Sequence, residues 1–312
     1  MSTAPVWAIV LNWNGWEDTQ RCVDSLRSQD YPSLHVLIVD NGSTDGSPER
    51  LREACSETAL TLLPENLGFA GGMNRGIEAA MEQGAAFVLL MNNDATLAPD
   101  AVSRLVAAAA AEDAAMAVPT IRYADPRNEA WYAGGALSPW TGTAHHWSAP
   151  RMDAPHEVSF ATGCCMLIRA AILPRVGLLN ERYFLYFEDL EFCHRLLAEG
   201  HRILYVPEAL AWHAVGASTG SQRQKAPALD YYDVRNGLFY IAEQLKGLQL
   251  LSALAYFLVA RLPRKVVRIL LKSPRKSESL RAVARGLWDA MRRQGGAMPR
   301  PSHPINTGRA AT

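Results

Sequence analysis

The chain has 312 residues, 49% of them apolar and 20% charged, with 31 basic residues offset by 31 acidic ones. That length fits one large domain or two ordinary ones, and the apolar share is enough for a core, which excludes a largely disordered or fibrous chain. No run reaches the roughly 18 to 20 apolar residues of a spanning helix, residues 1–12 carry no secretory leader pattern, and five cysteines without a Cys-x-x-Cys spacing fit a reducing compartment.

Along the first half, short β-rich runs alternate with helical patterns. Val6–Leu11 predicts a buried strand, Trp16–Ser28 a helix and Leu34–Asp40 a second strand. The turn formers of Asn41–Gly46 follow, and Ser47-Pro48 reads as an N-cap with proline in the first helical position, while Asp45 suits a capping role. Leu60–Leu63 predicts a third strand, Ala70–Glu82 a helix and Ala86–Met91 a fourth strand. Pro99–Glu112 is an alanine-rich helical pattern and Met116–Ile121 a fifth strand. Strict alternation predicts a parallel sheet with helices on both faces, and such sheets bind ligands beyond the carboxyl ends of their strands. Asn12 and Asn14, Asp40, Asn66 and Asn92-Asn93-Asp94 fall at those ends. Residues 122–228 are less regular, with a helix expected at Leu190–Glu199 and a strand at Arg202–Val206. Helical patterns dominate beyond 229, and the composition from about residue 294 is that of a disordered tail.

Zero net charge hides an asymmetry. Residues 1–228 hold 16 Lys/Arg and 26 Asp/Glu, a balance of −10, whereas residues 229–312 hold 15 and 5, a balance of +10. A basic tail seeks an anionic surface, and this one has no nucleic-acid motif. Instead the fourteen uncharged residues Gly247–Ala260 run into Arg261, Arg264, Lys265, Arg268 and Lys272. That is too short to span a bilayer but long enough for a helix in its interface, so residues 246–293 are expected to meet an anionic membrane surface. Each basic residue there contributes about 1 kcal/mol. The alternative is a core helix with a solvated basic face.

The succession Leu11-Asn12-Trp13-Asn14, Val39–Ser47 (VDNGSTDGS), Asn66–Asn74 (NLGFAGGMN) and Asn92-Asn93-Asp94 resembles the inverting glycosyltransferases of family 2. The likeness continues through Thr162–Arg169 (TGCCMLIR), Phe187–Phe192 (FEDLEF) and Ala211-Trp212-His213, and so covers about residues 5–220. Tyr231-Tyr232-x-x-Arg235-Asn236 adds a likeness to the rhamnosyltransferase branch. The resemblance implies the GT-A nucleotide-diphosphosugar transferase fold, mostly parallel, over residues 1–228. Residues 1–121 would form the nucleotide-sugar half and 122–228 the acceptor half, followed by a helical basic extension over 229–293 and a tail over 294–312.

Each motif also has a physical reading. Asp40 closes a strand, where a carboxylate can accept from the N3–H of uracil or thymine; it can equally cap its own turn through Asn41–Ser43. Asn66, Gly68, Gly71, Gly72 and Asn74 lie between strand and helix, where glycines allow close backbone approach and free N–H groups meet phosphate, unless they serve tight packing. The amides of Asn66 and Asn74 suit ribose or sugar hydroxyls, and the resemblance implies that Asn12, Asn14, Asn92 and Asn93 also meet the nucleotide sugar. Asn92-Asn93-Asp94 stands where the family has Asp-x-Asp, which implies a divalent cofactor, Mn²⁺ or Mg²⁺, neutralising the leaving diphosphate. Asn92 weakens that site, and the resemblance implies that His213 completes it beside Asp94, where an imidazole suits Mn²⁺.

The Glu188-Asp189 doublet is the implied catalytic pair. An acceptor hydroxyl must lose a proton as it attacks, and Asp189, placed just before a helix starting near Leu190, fits a general base; it can also merely cap that helix. Glu191, Arg195 and Glu199, at i, i+4 and i+8, read as a solvated salt-bridged face. Trp131, Tyr132, Trp140 and Trp147 can line a sugar groove or pack a core. His145-His146 lack a partner spacing for a metal, and Cys164 and Cys165 read as small packed residues. The Gln-x-x-Arg-Trp signature of processive members is absent, so single addition is expected. A pyrophosphorylase would want Arg and Lys directly after the first strand, which Asn12–Gly15 does not offer.

The expectation is therefore a non-processive inverting transferase, cytoplasmic and peripheral on the inner face of the cell membrane. It would take a pyrimidine nucleotide-diphosphosugar donor, foremost dTDP-L-rhamnose, and a saccharide or lipid-linked acceptor in cell-envelope polysaccharide synthesis. A UDP-hexose or UDP-galactofuranose transferase is the alternative, and a sugar-nucleotide-binding protein without transfer activity is the alternative of another class.

Overall fold

The computed structural model describes residues 3–124, 129–214 and 227–299. Of the tail expected over 294–312, residues 294–299 are described, where the Gly296 N–H donates to Arg182 O and the Met298 N–H to the Tyr232 hydroxyl, each at 2.8 Å; the rest and the segment Gln222-Arg223-Gln224 lie outside the described residues. Strands β1 (Val6–Asn12), β2 (Leu34–Asp40), β3 (Ala59–Leu62) and β4 (Phe87–Asn92) alternate with helices α1 (Trp16–Arg27), α2 (Ser47–Ala54) and α3 (Gly68–Glu82). The strands run parallel in the order β3-β2-β1-β4. Their near-continuous apolar sequences are what strands covered on both faces require.

The covering helices sit on opposite sides of the pleat. A Cβ at Gly72 would lie 2.4 Å from Leu11, and one at Gly76 2.3 Å from Ile9, so α3 presses its glycines onto the face bearing Ile9 and Leu11. Thr19 of α1 instead bonds Asn12, whose side chain points the other way. These glycines therefore serve helix–sheet packing. Gly46, at φ +83, rather than Ser47, precedes the first residue of α2, and Asp45 accepts the Ser47 N–H at 3.0 Å.

The chain continues through β5 (Ala95–Leu97), α4 (Ala101–Ala111), β6 (Met116–Tyr123), β7 (Ala130–Tyr132), β8 (Gly135–Ser138), β9 (Thr143–His146), β10 (His156–Val158) and β11 (Cys165–Arg169). Then follow α5 (Leu173–Val176), α6 (Glu188–Ala198) and β12 (Ile203–His213). Here the expectation of a mostly parallel sheet is corrected. β11 lies antiparallel between β4 and β6, β12 runs parallel to β6, and β5, β7 and β10 add antiparallel pairs, so the sheet is mixed. β11 leaves no periodic signature because it is five residues long and enters from a loop. β12 is longer than predicted because an irregularity between Val206 and Leu210 interrupts its pattern.

Helices α7 (Pro227–Gln244), α8 (Gly247–Tyr256), α9 (Leu262–Lys272) and α10 (Lys276–Met291) complete the fold. Val234, Phe239, Ala253, Phe257, Ile269 and Val283 belong to the same contiguous core as the sheet. A π-helical turn, Phe257–Arg261, joins α8 to α9 just before Pro263, which has no N–H to complete an ordinary turn. Among the described residues no helix is long and apolar enough to cross a membrane.

Candidate active site

The carboxyl ends of β1, β2 and β4 are tied by one buried polar network. Asn12 donates to Asp40 Oδ2 at 2.6 Å and to Ser43 Oγ at 3.1 Å, and its own oxygen accepts from Thr19 at 2.8 Å. Asn93 donates to the same Thr19 hydroxyl at 3.1 Å and to Gly15 O at 3.2 Å. Asp40 Oδ1 accepts the Ser43 N–H at 3.0 Å, and the residue is 1% exposed. Its carboxylate thus caps its own turn, the alternative the sequence left open, and stiffens the rim from behind. Asn14, exposed and at φ 52, accepts the Thr44 N–H at 2.8 Å and holds that turn from outside.

Two of the expected donor contacts are engaged inside the fold. Asn74 is 3% exposed; it donates to Leu179 O at 2.9 Å and Glu181 Oε1 at 3.0 Å and accepts the Leu179 N–H at 3.1 Å. An amide so used clamps the 179–181 segment to α3 rather than offering groups to a ribose. Gly68, at φ +78, is needed because a Cβ would lie 2.4 Å from Phe184 O, so the close approach is to protein backbone. Asn66, half-buried, accepts the Gly68 N–H at 2.8 Å and an Asn41 donor at 3.2 Å.

Past Asn93 the chain reverses, and β5 pairs antiparallel with the end of β12, setting Ala95 opposite His213. The Ala214 N–H donates to Asp94 O at 2.9 Å. This pairing brings His213 Nε2 within 3.0 Å of Asp94 Oδ1, with side chains 9% and 4% exposed. Among the described residues Asp94 Oδ1 and His213 Nδ1 nonetheless lack hydrogen-bond partners of good geometry. Two donors about 2.1 Å from an ion in adjacent octahedral positions lie about 3.0 Å apart, so the pair fits a divalent cation. No group of three or more His, Cys, Asp or Glu able to hold a metal exists among the described residues, so the remaining ligands would come from a bound diphosphate. Trp131 meets the His213 ring edge-on at 4.8 Å and sets its plane.

Glu188 and Asp189 form the first turn of α6 rather than preceding it. Asp189 Oδ2 accepts the Gly163 N–H at 3.1 Å and Oδ1 the Leu190 N–H at 2.7 Å. The neighbouring Cys164 O accepts the Asn92 N–H at 2.9 Å. Adjacent residues of one backbone therefore join the acid to the end of β4. Burial pushes the Asp189 carboxyl above its ordinary value, against the pull of those two N–H groups. Burial, and then the charge of Asp189, push Glu188 well above the carboxyl range. Glu188 thus holds its proton more tightly than Asp189.

A strained segment aims Asp189. Phe184, Tyr186 and Phe187 have φ of 63°, 69° and 75°, a conformation costing about 1–3 kcal/mol at each such residue. Asn236 of α7 holds it, donating to the carbonyls of Tyr183, Leu185 and Tyr186, each at 2.8 Å. Arg235, fully buried, donates to Tyr183 O at 3.0 Å, Arg182 O at 3.1 Å, Gly296 O at 2.6 Å and Asn236 Oδ1 at 2.9 Å. Its guanidinium also lies 5.0 Å from the Tyr231 ring centre and 5.2 Å from that of Tyr232. The Tyr-Tyr-x-x-Arg-Asn motif, to which the sequence assigned no task, is this clamp.

The reading of Glu191 as solvated is corrected: it is 2% exposed and accepts from Arg195 at 2.7 Å and from Gln244 of α7 at 3.2 Å. The i, i+4 pair exists, but α7 covers it, and Arg195 also donates to the carbonyls of Val176 and Leu178. Tyr132 is core, bonding Phe160 O at 2.7 Å, whereas Trp140 is 54% exposed. Cys164 and Cys165 are buried free thiols, as expected.

Asp189 opens onto a cavity of about 650 Å³, walled by His145, His146, Phe160 and Tyr186 and, from the C-terminal helices, by Asp230 and Arg264 among others. A carboxyl on one wall of a roomy cavity, one backbone link from the strand end beside Asp94 and His213, can when ionised take a proton from a hydroxyl held in that cavity.

Comparison with known families matches residues 7–177 to the family described as "Glycosyl transferase family 2". The chain is 30% identical over 226 residues to the N-acetylglucosaminyl-diphospho-decaprenol L-rhamnosyltransferase of Mycobacterium tuberculosis, covering 64% of this chain and 73% of that one. It is also 30% identical over 208 residues to the galactofuranosyltransferase GlfT1 of the same organism, covering 64% and 66%. Among solved structures, the mannosyltransferase PcManGT from Pyrobaculum calidifontis, in complex with GDP-Man and Mn²⁺, superposes with a TM-score of 0.60 at 19% identity, over 93% of this chain and 88% of that one.

Proposed function

The chain belongs to glycosyl transferase family 2, and from that premise we propose that it is a non-processive inverting transferase that moves L-rhamnose from dTDP-L-rhamnose to a lipid-linked saccharide at a membrane surface. One observation carries the reading: the half-buried Asp189 carboxyl faces the 650 Å³ cavity while Gly163 and Cys164 couple it to the end of β4.

In this reading the nucleotide lies along the strand ends, with Asn14, Asn66 and Asn92 at the rim and the Asn12–Asp40–Asn93 network fixing the turns that carry them. Asp94 and His213 would hold a divalent ion, which when bound neutralises the charge of the departing diphosphate. The acceptor hydroxyl oxygen bonds to the anomeric carbon as Asp189 takes its proton, and the bond from that carbon to the diphosphate oxygen breaks on the opposite side. A single displacement of this kind inverts the anomeric centre. Protonated Glu188 beside Asp189 adds no second charge to the site.

Leu248, Leu251, Leu258, Val259 and Leu271 of the α8–α9 run are each more than half exposed, which supports membrane-surface contact through residues 246–293. The alternative donor, UDP-galactofuranose, is favoured by the equal identity to the galactofuranosyltransferase.

The test is thermal stabilisation of the full chain with Mn²⁺ and a panel of dTDP-L-rhamnose, UDP-galactofuranose and UDP-glucose. A donor at a hundred times its Kd stabilises by about 2.7 kcal/mol, a shift of several degrees. dTDP-L-rhamnose is expected to give the largest shift; a larger one with UDP-galactofuranose selects the alternative, and none with any sugar nucleotide removes the transferase reading. His213→Ala is expected to raise the Mn²⁺ concentration for half-maximal activity at least about tenfold, since it deletes one of two protein ligands. Full wild-type activity in the presence of a chelator would refute metal ligation.

A further inference from the structure

We propose that Arg264 and Arg268 form a phosphate subsite in the Asp189 cavity, which receives the phosphorylated end of a lipid-linked acceptor. The proposal rests on the reading that the acceptor is lipid-linked, and it names the residues that would recognise the link.

Arg261, Arg264, Lys265 and Arg268 recur at i, i+3, i+4 and i+7, so they share one face of the π turn and α9, and all four line the cavity that contains Asp189. The stripe that the sequence suggested for a membrane is therefore turned toward the candidate active site. Charge bookkeeping across the cavity separates the four into two pairs. Lys265 is 7% exposed and lies 2.9 Å from Asp230 and 2.6 Å from Asp233, while Arg261 lies 2.6 Å from Asp233. Arg261 also stacks over Phe187 at 5.1 Å and Phe257 at 5.8 Å, so it is a strut between α7, α9 and the strained segment. These two cations offset the two carboxylates of α7, and against an ionised Asp189, the third acid of the cavity, Arg264 and Arg268 keep a surplus of one positive charge.

Arg264 and Arg268 remain, exposed, one helical turn apart, and with no ion-pair partner among the described residues. Arginines four positions apart, about 6 Å along the helix axis, suit adjacent phosphoryl groups, to which each guanidinium can donate two hydrogen bonds. Asp94 and His213, the candidate holders of the donor's diphosphate, are not among this cavity's walls, so a phosphate bound here belongs to the other substrate. The same helical run exposes Leu258, Val259 and Leu271, an apolar track for the chain esterified to that phosphate. Phosphate esters of a membrane lipid headgroup share this chemistry, and the experiment separates them from a diphosphate acceptor.

The probe is farnesyl diphosphate, titrated calorimetrically into the full chain in chelator and without vesicles, with farnesol as the uncharged control. The Arg264→Gln/Arg268→Gln double variant, both positions being exposed, is expected to keep its Tm and its nucleotide-sugar affinity within about twofold. Its affinity for farnesyl diphosphate should fall at least about tenfold, and farnesol should bind neither protein measurably. Unchanged farnesyl diphosphate affinity overturns the subsite. So does a variant that loses only its sedimentation with anionic vesicles, because the arginines then serve lipid headgroups. A wild-type chain that binds nucleotide sugars but not farnesyl diphosphate overturns this proposal and leaves the transferase reading intact. A wild-type chain that binds farnesyl diphosphate but no nucleotide sugar overturns the reading beneath it.

Discussion

Asp189→Asn is expected to lower kcat for sugar transfer by about 10² to 10⁴-fold, the usual worth of a positioned general base, while nucleotide affinity stays within about twofold. The side chain keeps its size, and one of its two backbone donors, Gly163 or Leu190, loses an acceptor, a cost of about 1–3 kcal/mol. Against that, the substitution removes a buried charge. Burial raises the carboxyl pKa values of both Asp189 and Glu188 in the fold, so their ionisation costs stability as pH rises above the ordinary carboxyl range, and this penalty is absent below it. The variant should therefore fold, and the stability of the wild type should fall more steeply than that of the variant as pH rises through the raised values. Activity runs the opposite way: only ionised Asp189 accepts a proton, so the acid limb of kcat/KM should lie above the pH of about 4 expected for a free aspartate. Steady-state kinetics and a pH–rate profile read both effects, and wild-type turnover in the asparagine variant would remove Asp189 from the chemistry.

Asn236→Ala is expected to lower kcat by about 10²-fold from well outside the reacting centre. Its amide donates to three buried carbonyls in the segment where Phe184, Tyr186 and Phe187 hold positive φ. Without it the Leu185 and Tyr186 carbonyls lose this donor, while Tyr183 O keeps Arg235, and the segment can relax toward ordinary backbone, so a destabilisation of about 2–4 kcal/mol accompanies the kinetic loss. Asp189 follows Phe187 by two residues, and a shift of about 1 Å at a reacting group costs on the order of 10²-fold in rate. A purely structural role would lower Tm and leave kcat unchanged when assayed well below the transition. The positioning role lowers kcat while the KM for the donor stays within about threefold. Asn236→Ser, which retains one donor, should recover part of the rate.

The sequence made the parallel half of the sheet legible because each of its strands is a run of apolar residues bounded by polar turn formers and followed by a helical period. Local pattern is enough for such units. β11 and the far half of β12 escaped because their places are fixed by neighbours far along the chain, and because a bulge between Val206 and Leu210 breaks the alternation. The site divides similarly. The ordered motifs marked Asp94, His213 and Asp189, but nothing local says that β5 folds back to set Asp94 beside His213. At Gly68 and Asn74 the motif showed residue types suited to a ligand but not the contacts both make with the protein's own backbone. The basic stripe was visible as a helical period, yet the direction it faces follows from the acids of α7, which lie some thirty residues earlier.

The placement of β11 also governs how the protein can be made. On a ribosome the strand order β3-β2-β1-β4 is available early, but β4 then presents a bare hydrogen-bonding edge until Cys165–Arg169 emerges, and β6 waits longer still for Ile203–His213. Unpaired edges of this kind recruit other chains. A fragment ending near residue 121 would carry β4 and β6 with their shared neighbour missing, so the first half of the chain is no detachable module. Synthesis must pass β11 before the edge of β4 is sealed, and β12 before that of β6 is.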